Sequence, residues 1–440
     1  MKETIRKKIF DAAKEFYEFK KSQESFIPEK TFVPVSGKVF DERELNKMIE
    51  AVLDGWWTEG RFSNEFSNKL AQKIGVKFCL PTNSGSSANL LAISALCSYK
   101  LADKKLKAGD EVVTLAAGFP TTISPIVINN LIPVFVDLDL GTYNINTEKL
   151  EKAVSEKTKA VFIAHTLGNP FDIEKILAIC HKYDLFLIED NCDALGSKYN
   201  DKYTGSFGHL ATLSFYPAHH ITSGEGGAVL TNDPLLAKIV GALRDWGRDC
   251  SCSTGRDNSC GERFSQQHGN LPFGYDHKYV YSELGYNLKW TDMQAALALA
   301  QLEKLDDFIS RRRENFNYLL ENLKKFDKYF SFFHQEENSR PSWFGFIITL
   351  KKNCPFSREE ILKYLNENKI GTRLLFAGNI INQPCFTNQK INYRISEDLN
   401  NSDYVMKNTF WIGCYPGLNK EKLDYVIGKM GHFLEKYNGL

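Results

Sequence analysis

The chain has 440 residues, 43% of them apolar and 25% charged, with a net charge of +1. That is too much chain for one small core and the composition of a globular protein, with room for a large α/β domain and a smaller one. The balanced charge leaves no field suited to nucleic acid or an anionic membrane, and no run approaches the ~18 apolar residues of a membrane span. The charged start MKETIRKKIF lacks the apolar core of a signal peptide, so a cytoplasmic enzyme with its ten cysteines reduced is the expectation.

Residues 1 to about 22 read as an amphipathic helix, with Ile5, Ile9, Ala12, Phe16 and Phe19 at helical spacing. This N-terminal arm, 1–45, is expected to pack on the body or on a second subunit. An extended stretch turns at Ser36-Gly37, and a helix spans about Glu42 to Leu53 and stops near Gly55. A W-x-T-x-G pattern (Trp56 to Gly60) then precedes a helix containing Glu65 and Phe66. From about 70 to 240, apolar runs at 78–83, 111–116, 133–139, 160–166, 185–190, 211–216 and 227–232 alternate with helical patterns such as Ser86–Cys97, Thr147–Val154 and Asp172–Tyr183. This alternation predicts an α/β fold with a mostly parallel sheet covered on both faces.

Ligands of such sheets bind past the carboxyl ends of the strands, where Asn83, Asp190 and Ser214 fall. The Gly-, Ser- and Cys-rich stretch 241–285 breaks the rhythm; a loop so long is either functional or held by something. A strong helix over Met293–Leu305 follows. From about 315 a second α/β segment carries a strand at 345–350 and helices at Ser357–Asn366 and near Glu421–Lys436. The expected organisation is therefore an arm (1–45), a large cofactor-binding domain (46–315) with an insertion at 246–285, and a small C-terminal domain (316–440).

Asn83-Ser84-Gly85-Ser86 lies between a strand and a helix. The free amides and dipole of that helix start suit an anion, although capping alone also favours Ser and Gly there. Asp190 ends the apolar run LFLIED; a lone buried Asp is commonly a satisfied structural group. Cys192, Cys250, Cys252 and Cys260 are spaced C-x57-C-x-C-x7-C, and the C-x-C pair in a loop suits a soft metal. By spacing alone, structural zinc and a [2Fe–2S] cluster are equally open. The other six cysteines read as small core residues.

The frame SF-x-x-x-[K]-x-(I/L)-T-x-x-EGG, from Ser214 to Gly227, resembles the cofactor-lysine segment of the DegT/DnrJ/EryC1/StrS sugar aminotransferases, within pyridoxal-phosphate fold type I (aspartate aminotransferase-like). The resemblance implies phosphate contacts from Gly85, Ser86 and Ser214. Through the ED-x-(A/C)-(Q/H) element it implies that Asp190 holds the pyridine nitrogen, with Asp193 in place of the usual Gln or His. It aligns Phe119 with the ring-stacking aromatic, for which ordinary core is an equal alternative. In GYNLKWTDMQAA it implies that Asn287 reaches the phosphate of a neighbouring subunit, hence a homodimer.

The lysine position holds His219. Imidazole cannot replace lysine as a covalent anchor, but it moves protons near neutral pH. The site is therefore expected to hold pyridoxamine phosphate non-covalently, with His219 as base; a register slip by one would make it His220. Dehydration beside a keto group then replaces transamination. The histidine, the cysteine spacing and the DWGRDC…GYDHKY…GYN stretch resemble the iron–sulfur, pyridoxamine-dependent 3-dehydrases of this family. That likeness implies a CDP-4-keto-6-deoxyhexose substrate, loss of the 3-hydroxyl, and reduction by a flavin and iron–sulfur reductase through a [2Fe–2S] cluster near the cofactor, in 3,6-dideoxysugar (ascarylose-type) biosynthesis. Arg373 is a candidate substrate contact, against a merely structural Arg. Two alternatives remain: an iron-free relative acting on a GDP sugar, and a non-catalytic binding protein on the aminotransferase fold.

Overall fold

In a computed structural model, residues 1–252 and 254–437 are described; Ser253, inside the insertion, and 438–440, the end of the C-terminal segment, lie outside the described residues. The strands in chain order are β1 (Phe78–Thr82), β2 (Glu111–Leu115), β3 (Ile132–Val136), β4 (Thr158–Ala164), β5 (Phe186–Asp190), β6 (Lys198–Tyr199), β7 (Lys202–Tyr203), β8 (Leu210–Ser214), β9 (Gly227–Thr231), β10 (Phe330–Phe332), β11 (Ser339–Arg340), β12 (Gly345–Leu350), β13 (Arg394–Ile395) and β14 (Thr409–Gly413).

Eight of them form the central sheet in the order β1-β9-β8-β5-β4-β2-β3-β13. Pairing is parallel from β13 through to β8 and antiparallel only at β8–β9 and β9–β1. Period-2 alternation of apolar side chains sends residues to both faces. Val112, Ala160, Phe162 and Ile188 pack under the helices Gly85–Leu96 and Pro234–Arg244. Val113, Val161, Ile163 and Leu187 join the larger core that also contains the antiparallel sheet β10-β12-β14.

The expected helices are present within a residue or three of their ends: Lys2–Ser22, Glu42–Asp54, Arg61–Ile74, Gly85–Leu96, Thr147–Ala153, Ile173–Lys182, Asp292–Leu302, Arg358–Glu367 and Lys420–Glu435. Pro120–Ile128, Pro234–Arg244, Leu305–Leu323, Pro384–Thr387 and Asn400–Asn408 are additional. The second of these carries a readable start, with Asp233 as N-cap and Pro234 in the first turn. Strand β13 comes from the C-terminal third and adds to the edge of the large sheet, where Arg394 makes a two-pronged ion pair with Glu111 at 2.7–2.9 Å.

The insertion is a loop with a paired stem. Asp245 bridges Asn287, Arg248 bridges Tyr281, and a Cβ on Gly247 (φ +82°) would lie 1.9 Å from the Glu283 carbonyl oxygen. Only glycine fits a left-handed residue packed that tightly.

The helix Glu42–Asp54 is fixed to the body by charge. Glu44 is 1% exposed; it accepts from Gln301 at 2.6 Å and from Lys304 at 2.7 Å. Lys304 also pairs with the N-cap Asp41 at 2.8 Å. Removing one partner leaves a buried carboxylate without its cation, which costs about 3–5 kcal/mol. Lys304→Met is therefore expected to lower the free energy of unfolding by that amount in chemical denaturation, whereas Lys73→Met, at an exposed pair with Asp306, shifts it by less than about 1 kcal/mol.

Candidate active site

Three strand ends meet at one edge of the central sheet. Gly227 pairs with Thr82 on one side and Ser214 on the other, and Asp190 lies opposite Thr212 on the next strand. From β1 the chain passes through Asn83 into the helix Gly85–Leu96. Ser84 caps that helix, its hydroxyl accepting from the Ser87 N–H at 3.1 Å, and Asn83 Oδ1 accepts from the Ser87 hydroxyl at 2.6 Å. The cap leaves the amides of Gly85 and Ser86 in the first turn, where no helical carbonyl can meet them. A Cβ on Gly85 would stand 2.5 Å from Ser214 Cβ and 2.9 Å from its Oγ. Glycine thus lets the helix start close on the Ser214 hydroxyl. Two free amides at the positive end of a helix, facing a hydroxyl, are a donor set that fits a phosphate, so the structure brings Gly85, Ser86 and Ser214 together.

Asp190 is 4% exposed and fully engaged from below. Its Oδ2 accepts from Thr122 Oγ1 at 2.6 Å and Asn89 Nδ2 at 3.0 Å, and its Oδ1 from the Cys192 amide at 3.2 Å. Sequence reasoning missed Asn89 and Thr122; both sit on helices whose starts face the strand ends, and no local pattern marks them. Beneath the site, Glu189 points to the opposite face of β5. It binds His165 Nε2 at 3.0 Å and accepts the amides of Gly205, Phe207 and Gly208 at 2.7–2.8 Å, which fixes the loop leading into β8.

The two adjacent histidines part company. His219 Nδ1 lies 3.3 Å from Asp193 Oδ1, and its ring is tilted against Phe344 at 5.1 Å. His220 is 2% exposed and its Nε2 donates to the Ser342 carbonyl at 2.8 Å. Burial first, and then the Arg312 charge, pull its proton affinity well below that of an ordinary histidine, so it is neutral. Only His219 joins the group that includes Asp190. Burial raises the Asp193 carboxyl above its ordinary range, while the facing His219 holds it back down and Asp190 opposes its ionisation.

The cysteines divide three and one. Cys252 Sγ is 3.5 Å from Cys260 Sγ, and both line a cavity of about 340 Å³ with Cys250. The Ser259 hydroxyl and the neighbouring Cys260 bring Cys252 down to about 6. Cys192 faces elsewhere: burial and then the Asp190 charge push its thiol well up, and it does not line that cavity. Three thiols around a shared cavity are a soft donor set, but neither they nor the four-cysteine set expected from spacing closes into a ligand cluster among the described residues.

Of the remaining candidates, Phe119 stands 49% exposed at the start of the helix Pro120–Ile128, edge-on to Phe376 at 5.9 Å. Asn287 is exposed next to Leu288, whose carbonyl accepts from the Asn83 amide at 2.8 Å. Arg373 lies apart, exposed on the small sheet's edge, bonding Thr372 O at 2.8 Å and paired through its main chain with Trp411.

A fold-type-I sheet with an aspartate, a serine and a helix start at its carboxyl edge agrees with a family model that matches residues 39–431, that of the DegT/DnrJ/EryC1/StrS aminotransferases. The chain belongs to that family. It is 54% identical over 429 residues to the lipopolysaccharide biosynthesis protein RfbH of Salmonella typhimurium, covering 98% of each chain. It is 49% identical over 421 residues to dTDP-4-dehydro-2,6-dideoxy-D-glucose 3-dehydratase of Saccharopolyspora spinosa, covering 95% of this chain and 90% of that one. A solved structure of Escherichia coli GDP-4-keto-6-deoxy-D-mannose-3-dehydratase with bound hydrated PLP superposes with a TM-score of 0.81 at 29% identity, covering 91% of this chain and 99% of the other. The fold is the aminotransferase-like type I fold, in a family of pyridoxal-phosphate aminotransferases and sugar-nucleotide 3-dehydratases. Among the described residues no helix is long and apolar enough to cross a membrane.

Gly85→Ala places a methyl group against Ser214 and forces the helix start outward. Overpacking of this kind costs about 1–3 kcal/mol. Equilibrium titration should show pyridoxamine phosphate bound at least about tenfold more weakly, while Gly75→Ala, where a Cβ meets nothing within 4 Å, leaves affinity unchanged.

Proposed function

We propose that this protein dehydrates a nucleotide-linked 4-keto-6-deoxyhexose at C-3, using pyridoxamine phosphate held without a covalent bond and His219 as the proton-transfer group. One observation carries this reading: an imidazole paired with Asp193, rather than an amine, occupies the lysine position beside Asp190 and the phosphate cradle. When bound, the cofactor supplies an amine for the keto group and a ring that withdraws electrons.

The chain's own residues do the rest. Gly85, Ser86 and Ser214 bind the phosphate, and Asn287 of a second copy reaches it in a homodimer. Asp190, held at Oδ2 by Asn89 and Thr122, would offer Oδ1, which also accepts from the Cys192 amide, to the pyridine nitrogen, and Phe119 would cover a ring face. Asp193 Oδ1, 3.3 Å from Nδ1 of His219, favours the proton on that nitrogen and so leaves Nε2 as the free base. With the cofactor bound, Nε2 would accept the proton lost from its aminomethyl carbon and would supply a proton to the departing 3-hydroxyl, which would leave as water. Asp193 also takes the place of the usual Gln or His at the ring hydroxyl. Relatives that include 3-dehydratases of dTDP and GDP sugars support the reaction class. The resemblance supports CDP as the nucleotide and 3,6-dideoxysugar biosynthesis as the setting.

Within this reading Cys250, Cys252 and Cys260, joined by Cys192, would hold a [2Fe–2S] cluster, which supplies one-electron transfer from a partner reductase. The separation of Cys192 from the other three favours a second reading, an iron-free 3-dehydratase acting on a GDP sugar. The residues that bind and deprotonate are the same in both. A scaffold without catalysis is disfavoured because Asp190, Ser214 and the Gly85 cradle are all intact.

His219→Asn should abolish solvent exchange of the cofactor's methylene hydrogen, read by NMR, while pyridoxamine phosphate still binds; exchange at the parent rate would remove His219 as the base. Anaerobically reconstituted protein is expected to absorb above 400 nm with two irons and two sulfides per chain, a count that follows from the [2Fe–2S] formula, and Cys192→Ser should lower that content. Colourless protein with zinc bound would exclude the cluster.

A further inference from the structure

Arg312 lies on the helix Leu305–Leu323 and is 1% exposed, yet among the described residues no carboxylate stands within ion-pair distance of it. Its guanidinium instead donates to three main-chain carbonyls: Trp343 at 3.1 Å, Phe344 at 3.3 Å and His219 at 3.3 Å. Nε is buried as well and finds no acceptor. An unpaired buried cation is costly, and an apolar residue of similar volume at such a place is often as stable or more so. Space-filling therefore does not account for an arginine here.

The segment 342–344 explains what the guanidinium joins. It crosses the site between two loops. The Ser342 N–H donates to Ser197 Oγ at 2.8 Å, and the Phe344 N–H to the Leu167 carbonyl at 2.9 Å. The Ser342 carbonyl accepts from His220, while the Phe344 ring packs on His219. One end of Arg312 holds this strap and the other holds the main chain of His219, whose ring packs against Phe344 and stands with Nδ1 3.3 Å from Asp193 Oδ1.

We propose that Arg312 is a positioning residue for proton transfer: it clamps the His219 main chain to the 343–344 strap, and its charge faces the His219–Asp193 pair. This rests on His219 as the base. The titratable groups facing the pair are Asp190 and Cys192 from the end of β5, His220 from the same loop and Arg312 from the helix; Cys414 and Tyr415 lie beyond Arg312.

The test compares Arg312→Met, Arg312→Lys and His219→Asn, each loaded with pyridoxamine phosphate, by methylene exchange, cofactor affinity and thermal stability. Arg312→Met should slow exchange about 10²-fold, the cost of a misplaced catalytic group, with affinity retained within a few-fold. Arg312→Lys cannot reach all three carbonyls, so it should restore exchange only in part and its rate should lie between. Parental exchange in either variant, whatever its thermal stability, overturns the clamp, and so does an Arg312→Met variant whose affinity falls as far as its exchange rate. If Arg312→Met does not fold, the lysine variant carries the test. Exchange that survives in His219→Asn would instead remove the base itself, a separate failure.

Discussion

The parallel register of β5 and β8, followed by the antiparallel return of β9 to β1, is the constraint on which the site depends. It sets Asp190, Ser214 and the end of β1 side by side at one edge of the sheet. Because β9 runs back between β8 and β1, the helix Gly85–Leu96 starts directly over Ser214, and glycines at 85 and 227 let the backbones close to that distance. The helix-start amides, the Ser214 hydroxyl and the Asp190 carboxylate are thereby brought to one edge of the sheet. Loops add the rest: the 191–193 turn brings Asp193, and the turn after β8 brings His219.

Within that frame the histidine changes what the site can do. A lysine amine would both anchor a cofactor and carry protons; an imidazole with Nδ1 against a carboxylate can only carry protons. The neighbouring histidine is committed elsewhere, donating to Ser342 from a fully buried position. Burial works against charge on Asp193 and His220 alike, and the buried Arg312 guanidinium nearby is spent on carbonyl oxygens.

Much of the sheet was legible because its strands are short, β-branched and bounded by turn residues, and because helix starts carry caps such as Asn146, Asp172 and Ser357. Asp190, Ser214 and the Gly85 turn were readable for the same reason: they fall where an apolar run stops. Asn89, Thr122, Arg312 and the strap at 342–344 were not, since each acts through partners more than 30 residues away and has no local signature. The two-residue strand β13 pairs with the large sheet from the far end of the chain, and two residues hold no period to read. The cysteine pattern was half legible: the C-x-C and the third thiol share a cavity, while the proximity of Cys192 to Asp190 in sequence did not bring it to the same cavity.

The most direct test is a crystal structure of the protein with pyridoxamine phosphate. The account predicts the pyridine nitrogen about 3 Å from Asp190 Oδ1, the phosphate on the Gly85 and Ser86 amides and the Ser214 hydroxyl, and Nε2 of His219 facing the aminomethyl carbon. A cofactor bound with its ring nitrogen away from Asp190, or with an imidazole other than that of His219 at the aminomethyl carbon, would contradict it.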